Sequence, residues 1–138
     1  MATTTDGAPN IYPCLRYADA KAAIAWLERA FGFERHVVYD SPDGSVGHGE
    51  MSFGAGMLLL SSLSKEGVMA KVPHGPQCIY VAVPKNIEAH YARARLAGAT
   101  IIRELAPTDY GSMDYCALDP EGNFWSFGTY WPKAGDKP

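Results

Sequence analysis

The sequence predicts an α+β protein made of two tandem β-α-β-β-β modules, whose strands form a cupped mixed sheet with the helices on the outside. The order strand, helix, three strands occurs twice along the 138 residues. The helix-stop glycines Gly32 and Gly98 are 66 residues apart, and so are Gly56 and Gly122, which open the last strands. A duplicated chain is expected to keep one offset between equivalent positions. A helix that covers one face of each sheet would leave a concave face open to a ligand.

Module one is predicted over residues 10–62. Its helix spans Ala20 to Phe31, because apolar residues recur there at helical spacing between a capping Asp19 and a stop at Gly32. A Pro-Asp-Gly turn separates the second and third strands. The strands are expected at residues 11–17, 34–39, 47–53 and 57–62.

Module two is predicted over residues 77–131 and repeats the order. Its helix spans Ile87 to Ala97 and stops at Gly98. Strands are expected at residues 78–83, 100–105, 114–118 and 124–130. The aperiodic stretch 63–76 is interpreted as a connector, so that residues 10–131 form one domain between tails at 1–9 and 132–138.

Composition excludes several classes of protein. The chain has 12 basic and 15 acidic residues, a net charge of −3, and scattered cations, which argues against nucleic-acid binding. The longest aliphatic run is far too short to cross a membrane, and Met1 to Asn10 lacks the features of a signal peptide, so a cytoplasmic protein is expected. Cys14, Cys78 and Cys116 contain no Cys-x-x-Cys pair and are expected to be free, buried thiols.

Several motifs resemble the vicinal oxygen chelate superfamily, which includes glyoxalases, extradiol dioxygenases and bleomycin-resistance proteins. The resemblance covers about residues 10 to 131 and depends on these segments: Tyr12-Pro-Cys-Leu-Arg-Tyr-Ala-Asp, Ala23-Ile-Ala-Trp-Leu, Phe31-Gly-Phe-Glu, Tyr110-Gly-Ser and Asp119-Pro-Glu-Gly-Asn-Phe-Trp. It implies the duplicated fold. For function it is less specific, because one fold can carry many activities.

The resemblance also allows a test for a metal site. Metal-dependent members draw one ligand from the first strand and one from the last strand of each module. The matching positions here are Tyr12, Leu60, Cys78 and Ser126, of which only a cysteine thiolate is a strong ligand. A one-residue shift substitutes Gln77 and Ser61 and gives no better set. No metal ligands or cofactor are therefore predicted, although a divalent metal is not excluded.

A ligand-facing set follows from strand alternation together with the resemblance. Arg16 resembles a position that grips an anionic substrate in glyoxalases, and a salt bridge to a nearby carboxylate is the alternative. Tyr110 resembles an aromatic residue at the cavity rim in resistance proteins, or packs as a turn residue. Trp26 and Trp125 are assigned to the core. The predicted ligand-binding residues are Tyr12, Cys14, Arg16, Leu60, Cys78, Tyr80, Tyr110, Phe124 and Ser126.

His48 and Glu50 are the candidate catalytic residues. They lie two residues apart on a predicted strand, so both side chains point to one face and could share a proton or a metal ion. The alternative is an exposed polar strand face. His36, His74 and His90 are single histidines, for which surface or capping roles are expected.

These observations favour a metal-independent protein that binds a small aromatic or amphiphilic molecule. The alternative is a metal-dependent lyase, isomerase or dioxygenase with an atypical site around His48 and Glu50. A structural or regulatory dimer with a filled cup is a third possibility. A homodimer is expected mainly from the resemblance, because short single-chain members of the superfamily usually pair. The open edge strands of each module, which would otherwise need covering, are a second reason.

Overall fold

The computed structural model describes residues 7–136, which form two compact units that meet in sequence between Gly75 and Pro76. The described residues contain two α-helices and eight strands in two four-stranded mixed sheets. This arrangement confirms the predicted α+β class and the repeated β-α-β-β-β order. The boundary between the units falls inside the predicted connector. The cupped arrangement of the two sheets stays a prediction.

The first unit has the predicted elements with small changes at their ends. Strand β1 runs parallel to β4, and the other neighbouring strands are antiparallel, in the order β1-β4-β3-β2. Helix α1 begins and ends at the predicted residues. The elements are β1 (Cys14–Tyr17), α1 (Ala20–Phe31), β2 (Glu34–Asp40), β3 (Val46–Phe53) and β4 (Gly56–Ser62).

The second unit repeats this topology, with the strand order β5-β8-β7-β6 and the parallel pair β5 and β8. Its last strand ends two residues earlier than predicted, at Gly128 instead of Tyr130. The elements are β5 (Cys78–Ala82), α2 (Ile87–Leu96), β6 (Thr100–Pro107), β7 (Met113–Leu118) and β8 (Phe124–Gly128).

Short polar residues and glycines set the helix ends. The Asp19 carboxylate accepts a hydrogen bond of 3.1 Å from the Ala22 amide and caps α1, while Asn86 caps α2 in the same way through the Ala89 amide. Gly32 ends α1 with a φ of 76°, a left-handed conformation that other residues adopt at a cost. Neither helix of the described residues is long and apolar enough to span a membrane.

Each sheet buries one face against its own helix. In the first unit, Leu15, Met51 and Leu60 point to that side and are at most 2% exposed. In the second unit, Tyr115, Trp125 and Phe127 occupy the same side and are fully buried. The predicted core positions of Trp26 and Trp125 are therefore confirmed. The opposite side of each sheet, called here the open face, carries the alternate residues.

The offset of 66 residues holds at the helix-stop glycines Gly32 and Gly98 but is not constant along the modules. The first strands begin 64 residues apart, at Cys14 and Cys78, and the helix caps Asp19 and Asn86 are 67 apart. The hairpins differ most. Phe53 pairs directly with Gly56 across a two-residue turn, whereas five residues separate the paired Leu118 and Phe124. Turn length fixes strand register, so positions matched by simple addition move to the other face.

Candidate functional site

Leu60 shows the effect of this register change. It pairs with Leu15 of β1 and is 2% exposed on the helix side, so its expected place among the ligand-facing residues is corrected. Its counterpart by ladder pairing is Trp125, which pairs with Ile79 of β5. The side chains on either side of Leu60, Leu59 and Ser61, take the open face instead.

The open face of the first unit brings together several of the predicted residues. Cys14 and Arg16 of β1 pair with Leu59 and Ser61 of β4, and Glu50 of β3 pairs with Leu59 from the other side. Cys14 is exposed, contrary to the expected burial, because it begins the strand at the edge of the sheet. Tyr12 lies before β1, and its hydroxyl donates to the Pro9 carbonyl at 2.7 Å.

Arg16 holds the connector. Its guanidinium donates to the carbonyl oxygens of Met69, Val72 and Pro73 at 3.0, 3.2 and 2.9 Å. The first of these residues belongs to a short 3-10 helix, Val68–Lys71. Arg16 therefore makes main-chain contacts with the connector, a role that neither sequence-based alternative, an anion grip or a carboxylate salt bridge, included. A segment without a regular sheet partner is fixed at three points by one planar, multidentate cation.

His48 and Glu50 do meet. The imidazole Nε2 of His48 lies 2.8 Å from Oε2 of Glu50, and Nε2 of His36 lies 3.8 Å from the other carboxylate oxygen. The Tyr39 ring stacks on His48 with 6.3 Å between centroids. A β-bulge between Arg35 and Val37 turns His36 toward Glu50, which sequence alternation alone could not show. One carboxylate thus faces two imidazoles on a partly exposed surface.

The open face of the second unit carries four of the predicted ligand-binding residues. Cys78 pairs with Phe124, and Tyr80 pairs with Ser126, so these four side chains share one face of β5 and β8. Cys78 is exposed, whereas Cys116 is buried and its thiol lies 3.6 Å from the Ser126 hydroxyl. This face therefore carries aromatic rings, thiols and the hydroxyls of Tyr80 and Ser126.

Three tyrosines form a pocket at the end of this face, named here the tyrosine pocket. Its lining residues are Tyr80, Tyr110, Tyr130 and Pro132, and its volume is about 450 Å³. The Tyr80 hydroxyl donates to the Tyr130 carbonyl at 2.6 Å. The rings of Tyr110 and Tyr130 meet edge to face with centroids 5.8 Å apart. Tyr110 and Tyr130 are 61% and 51% exposed, so the lining rings remain accessible.

A buried carboxylate stands behind these rings. Asp114 of β7 is 2% exposed and accepts hydrogen bonds from the Tyr110 hydroxyl, at 2.5 Å, and from the Ser112 hydroxyl. Gly128, directly opposite on β8, makes room for it: a Cβ there would overlap the Asp114 carboxylate and lie 2.6 Å from the Tyr80 hydroxyl. Sequence reasoning missed Asp114, although an acidic residue inside an otherwise apolar strand is an unusual choice.

The carboxylate changes the acidity of both tyrosines. The hydrogen bond to Asp114 raises the pKa of Tyr110, because ionisation would break it and place a phenolate beside a negative charge. Burial raises the pKa of Tyr80, and the charge of Asp114 adds to the effect. Both phenols therefore stay protonated well above neutral pH.

His90 also differs from the expected surface or capping role. Its Nδ1 lies 2.6 Å from the hydroxyl of buried Tyr115, and its ring packs against Phe127 with centroids 4.5 Å apart. Because Tyr115 is buried on the helix side, its hydroxyl needs a partner from the helix that covers it. His90 of α2 supplies that partner and belongs to the core network of the second unit.

Comparison with known proteins gives the family. A family model of the Glyoxalase/Bleomycin resistance protein/Dioxygenase superfamily matches residues 11–127. The chain belongs to this superfamily. The match spans both units and agrees with the resemblance seen in the sequence motifs.

The chain is also similar to two proteins of known structure and to one relative by sequence. TioX from Micromonospora sp. ML1 is 25% identical, with a TM-score of 0.74 over 88% of this chain and 100% of that chain. A superfamily enzyme from Burkholderia phytofirmans PsJN is 21% identical, with a TM-score of 0.65 over 85% and 94%. The uncharacterized protein Mb0911c of Mycobacterium bovis is 27% identical over 126 residues, which is 87% of this chain and 82% of the relative.

The metal sites of this superfamily can now be tested against the residues present. The open-face side chains of β4 are Leu59 and Ser61, and those of β8 are Phe124 and Ser126, which include no strong ligand for a divalent ion. Among residues 7–136, no group of three or more His, Cys, Asp or Glu side chains is arranged to hold a metal. The donor set does not fit the metal centre implied by the superfamily.

Proposed function

We propose that this chain is a metal-independent binding protein for a small aromatic or amphiphilic molecule, and that the tyrosine pocket contributes to its ligand site. The observation that carries the proposal is the grouping of three tyrosine rings around a cavity of about 450 Å³. This volume is typical of small-molecule sites, and stacked or edge-to-face rings give such sites apolar area with defined geometry. The poor donor set on β4 and β8 supports a function without a metal.

The pocket has the properties of a binding surface. Tyr80 is tied to the Tyr130 carbonyl and Tyr110 to the Asp114 carboxylate, so two of the three rings are held at their hydroxyl ends. A fixed ring loses little conformational entropy when a ligand binds. The exposed ring faces are then available for stacking.

Binding of naphthylmethanol, measured by fluorescence and by NMR line shifts, tests the proposal. Tyr130→Ala and Tyr110→Ala are expected to weaken binding by about tenfold each, the usual loss for a stacking ring. Tyr39→Ala is the matched control, because Tyr39 is 62% exposed on the first unit. Equal binding by all variants would contradict the proposal. Elemental analysis and native mass spectrometry of the purified protein test metal independence and the expected homodimer.

A second candidate function is an acid–base reaction at His48 and Glu50, favoured by their 2.8 Å contact. An imidazole held by a carboxylate can accept a proton from a carbon acid. Solvent deuterium incorporation into hydroxyacetone, followed by NMR, should then be faster with the wild-type protein than with His48→Asn or Glu50→Gln. Exchange at the same rate in all three would contradict this function, and isothermal titration with Zn²⁺ would show whether the pair also binds a metal.

A further inference from the structure

In the part of the chain that the structure describes, the Asp114 carboxylate forms no ion pair. Within residues 7–136, no Lys, Arg or His nitrogen lies within 4.0 Å of it, and its hydrogen-bond donors are the neutral hydroxyls of Tyr110 and Ser112. Arg103 of β6 forms no ion pair with Asp114 within 4.0 Å: its guanidinium donates to the Pro107 carbonyl at 3.3 Å, although its charge still acts on Tyr110. Buried charges are usually paired, because removing a charge from water is costly. Among residues 7–136, the Asp114 carboxylate is thus buried without an ion-pair partner.

The two neutral donors connect this charge to the tyrosine pocket. Tyr110 lines the pocket and donates directly to Asp114. Tyr80 also lines it, and its hydroxyl approaches the same space beside Gly128 that the carboxylate fills. A phenol that donates to a carboxylate becomes more electron-rich over its ring, which strengthens attraction of a cation to the ring face. The charge and the rings therefore favour the same kind of occupant.

We infer that the tyrosine pocket selects ligands that carry a positive charge next to an aromatic or apolar body, with Asp114 as the determinant of that selectivity. The inference rests on the proposed function, since it specifies the ligand class of the same pocket. The cation stacks on the exposed faces of the tyrosine rings and is attracted by the carboxylate behind their hydroxyls. Asp114 stays hydrogen-bonded to Tyr110 and acts through its charge.

Three matched probes test the inference by isothermal titration: naphthylmethylammonium, neutral naphthylmethanol and the naphthoate anion. The ammonium is expected to bind the wild-type protein about tenfold more tightly than the alcohol, and the anion more weakly than both. Asp114→Asn keeps the shape and removes the charge, so the preference for the ammonium should fall to less than about threefold. Higher salt should reduce the same preference, because the pocket is open to solvent.

A second variant covers the case in which Asp114→Asn does not fold. Tyr110→Phe removes the phenol that donates to the carboxylate but keeps the charge of Asp114, so the preference of the folded protein for the ammonium over the alcohol should fall only in part. If the alcohol binds the wild-type protein as tightly as the ammonium, the inferred selectivity is overturned while the proposed binding function stands. If neither probe binds, or Tyr130→Ala leaves binding unchanged, the proposed function itself fails.

Discussion

The carboxylate of Asp119 accepts a hydrogen bond of 3.0 Å from the indole N–H of Trp125, and this contact joins the β7–β8 turn to the core of the second unit. The same carboxylate accepts from the main-chain amides of Glu121 and Asn123 and from the Asn123 side chain. Asn123 in turn accepts from the Gln77 amide at 2.8 Å, next to the start of β5. One turn residue thus fixes the hairpin and the strand beside it.

Asp119→Ala is expected to lower the free energy of unfolding by roughly 3 kcal/mol, because several buried donors lose their acceptor. Asp119→Asn retains one of the two acceptor oxygens and should lower the free energy of unfolding by less than Asp119→Ala does. Chemical denaturation followed by tryptophan fluorescence measures both values. Asp109→Ala is the control, since Asp109 is exposed. A loss below that of the control would contradict the role of Asp119.

Tyr115 predicts a loss of stability at alkaline pH. Burial raises the pKa of Tyr115 above its ordinary value of 10.0, so the unfolded chain releases this proton at lower pH than the folded protein does. The stabilisation of the fold by protonated Tyr115 is therefore complete below pH 10.0. Above that pH it falls by about 1.4 kcal/mol per pH unit, until the pH reaches the pKa of Tyr115 in the folded protein. Tyr115→Phe removes the hydrogen bond to His90 and should lower the free energy of unfolding by about 1 kcal/mol at neutral pH. The stability of this variant should then fall less steeply as the pH rises above 10.0. Urea unfolding at increasing pH checks both effects, and an equally steep decline in the variant would contradict them.

The contacts of Arg16 are expected to protect the connector from amide hydrogen exchange. Arg16→Met removes all three carbonyl contacts, so amide hydrogen exchange in residues 63–75 should accelerate by about tenfold or more. Arg16→Lys keeps the charge and is expected to recover only part of the protection, since an ammonium cannot reach three carbonyls in a fixed fork. Exchange in the β3–β4 hairpin serves as the internal control. Unchanged exchange of the connector in Arg16→Met would show that other contacts hold this segment.

The close packing around Gly128 allows a steric test of the tyrosine pocket. Gly128→Ala places a Cβ against the Asp114 carboxylate and the Tyr80 hydroxyl, so it should lower stability by about 1–3 kcal/mol and weaken naphthylmethanol binding. Gly75→Ala is the matched control, because a Cβ there meets nothing within 4 Å. Thermal unfolding and the binding titration measure the two effects. Wild-type values for Gly128→Ala would mean that the space behind the tyrosines is not filled as described.

The Tyr110 phenol reports directly on Asp114. The hydrogen bond to the carboxylate raises the pKa of Tyr110, so Asp114→Asn should lower that pKa toward the ordinary value of 10.0. The change can be followed as the tyrosinate absorbance during an alkaline titration, with Tyr110→Phe identifying the signal. A Tyr110 signal that titrates at the same pH in both proteins would show that the phenol does not sense the carboxylate.

The local patterns of the sequence determined the element order, the helix bounds and the family. Asp19 and Gly32 mark α1 because capping and left-handed glycine are effects of a few neighbouring residues. Alternation also placed His48 and Glu50 on one face, and Trp125 in the core. These features need only the periodicity of a strand or helix and short-range hydrogen bonds.

Tertiary structure decided the register and the composition of the site. Leu60 is on the helix side because two hairpins of unequal length pair their strands differently, and turn length is not visible in a comparison of glycine positions. The bulge that turns His36 to Glu50, the connector carbonyls that bind Arg16, and the meeting of Asp114 with Tyr110 all depend on how the strands and turns pack. A one-residue change in pairing reverses every side chain of a strand, so the sequence could place residues on one face of a single strand but could not fix the register that decides which residues of neighbouring strands share that face.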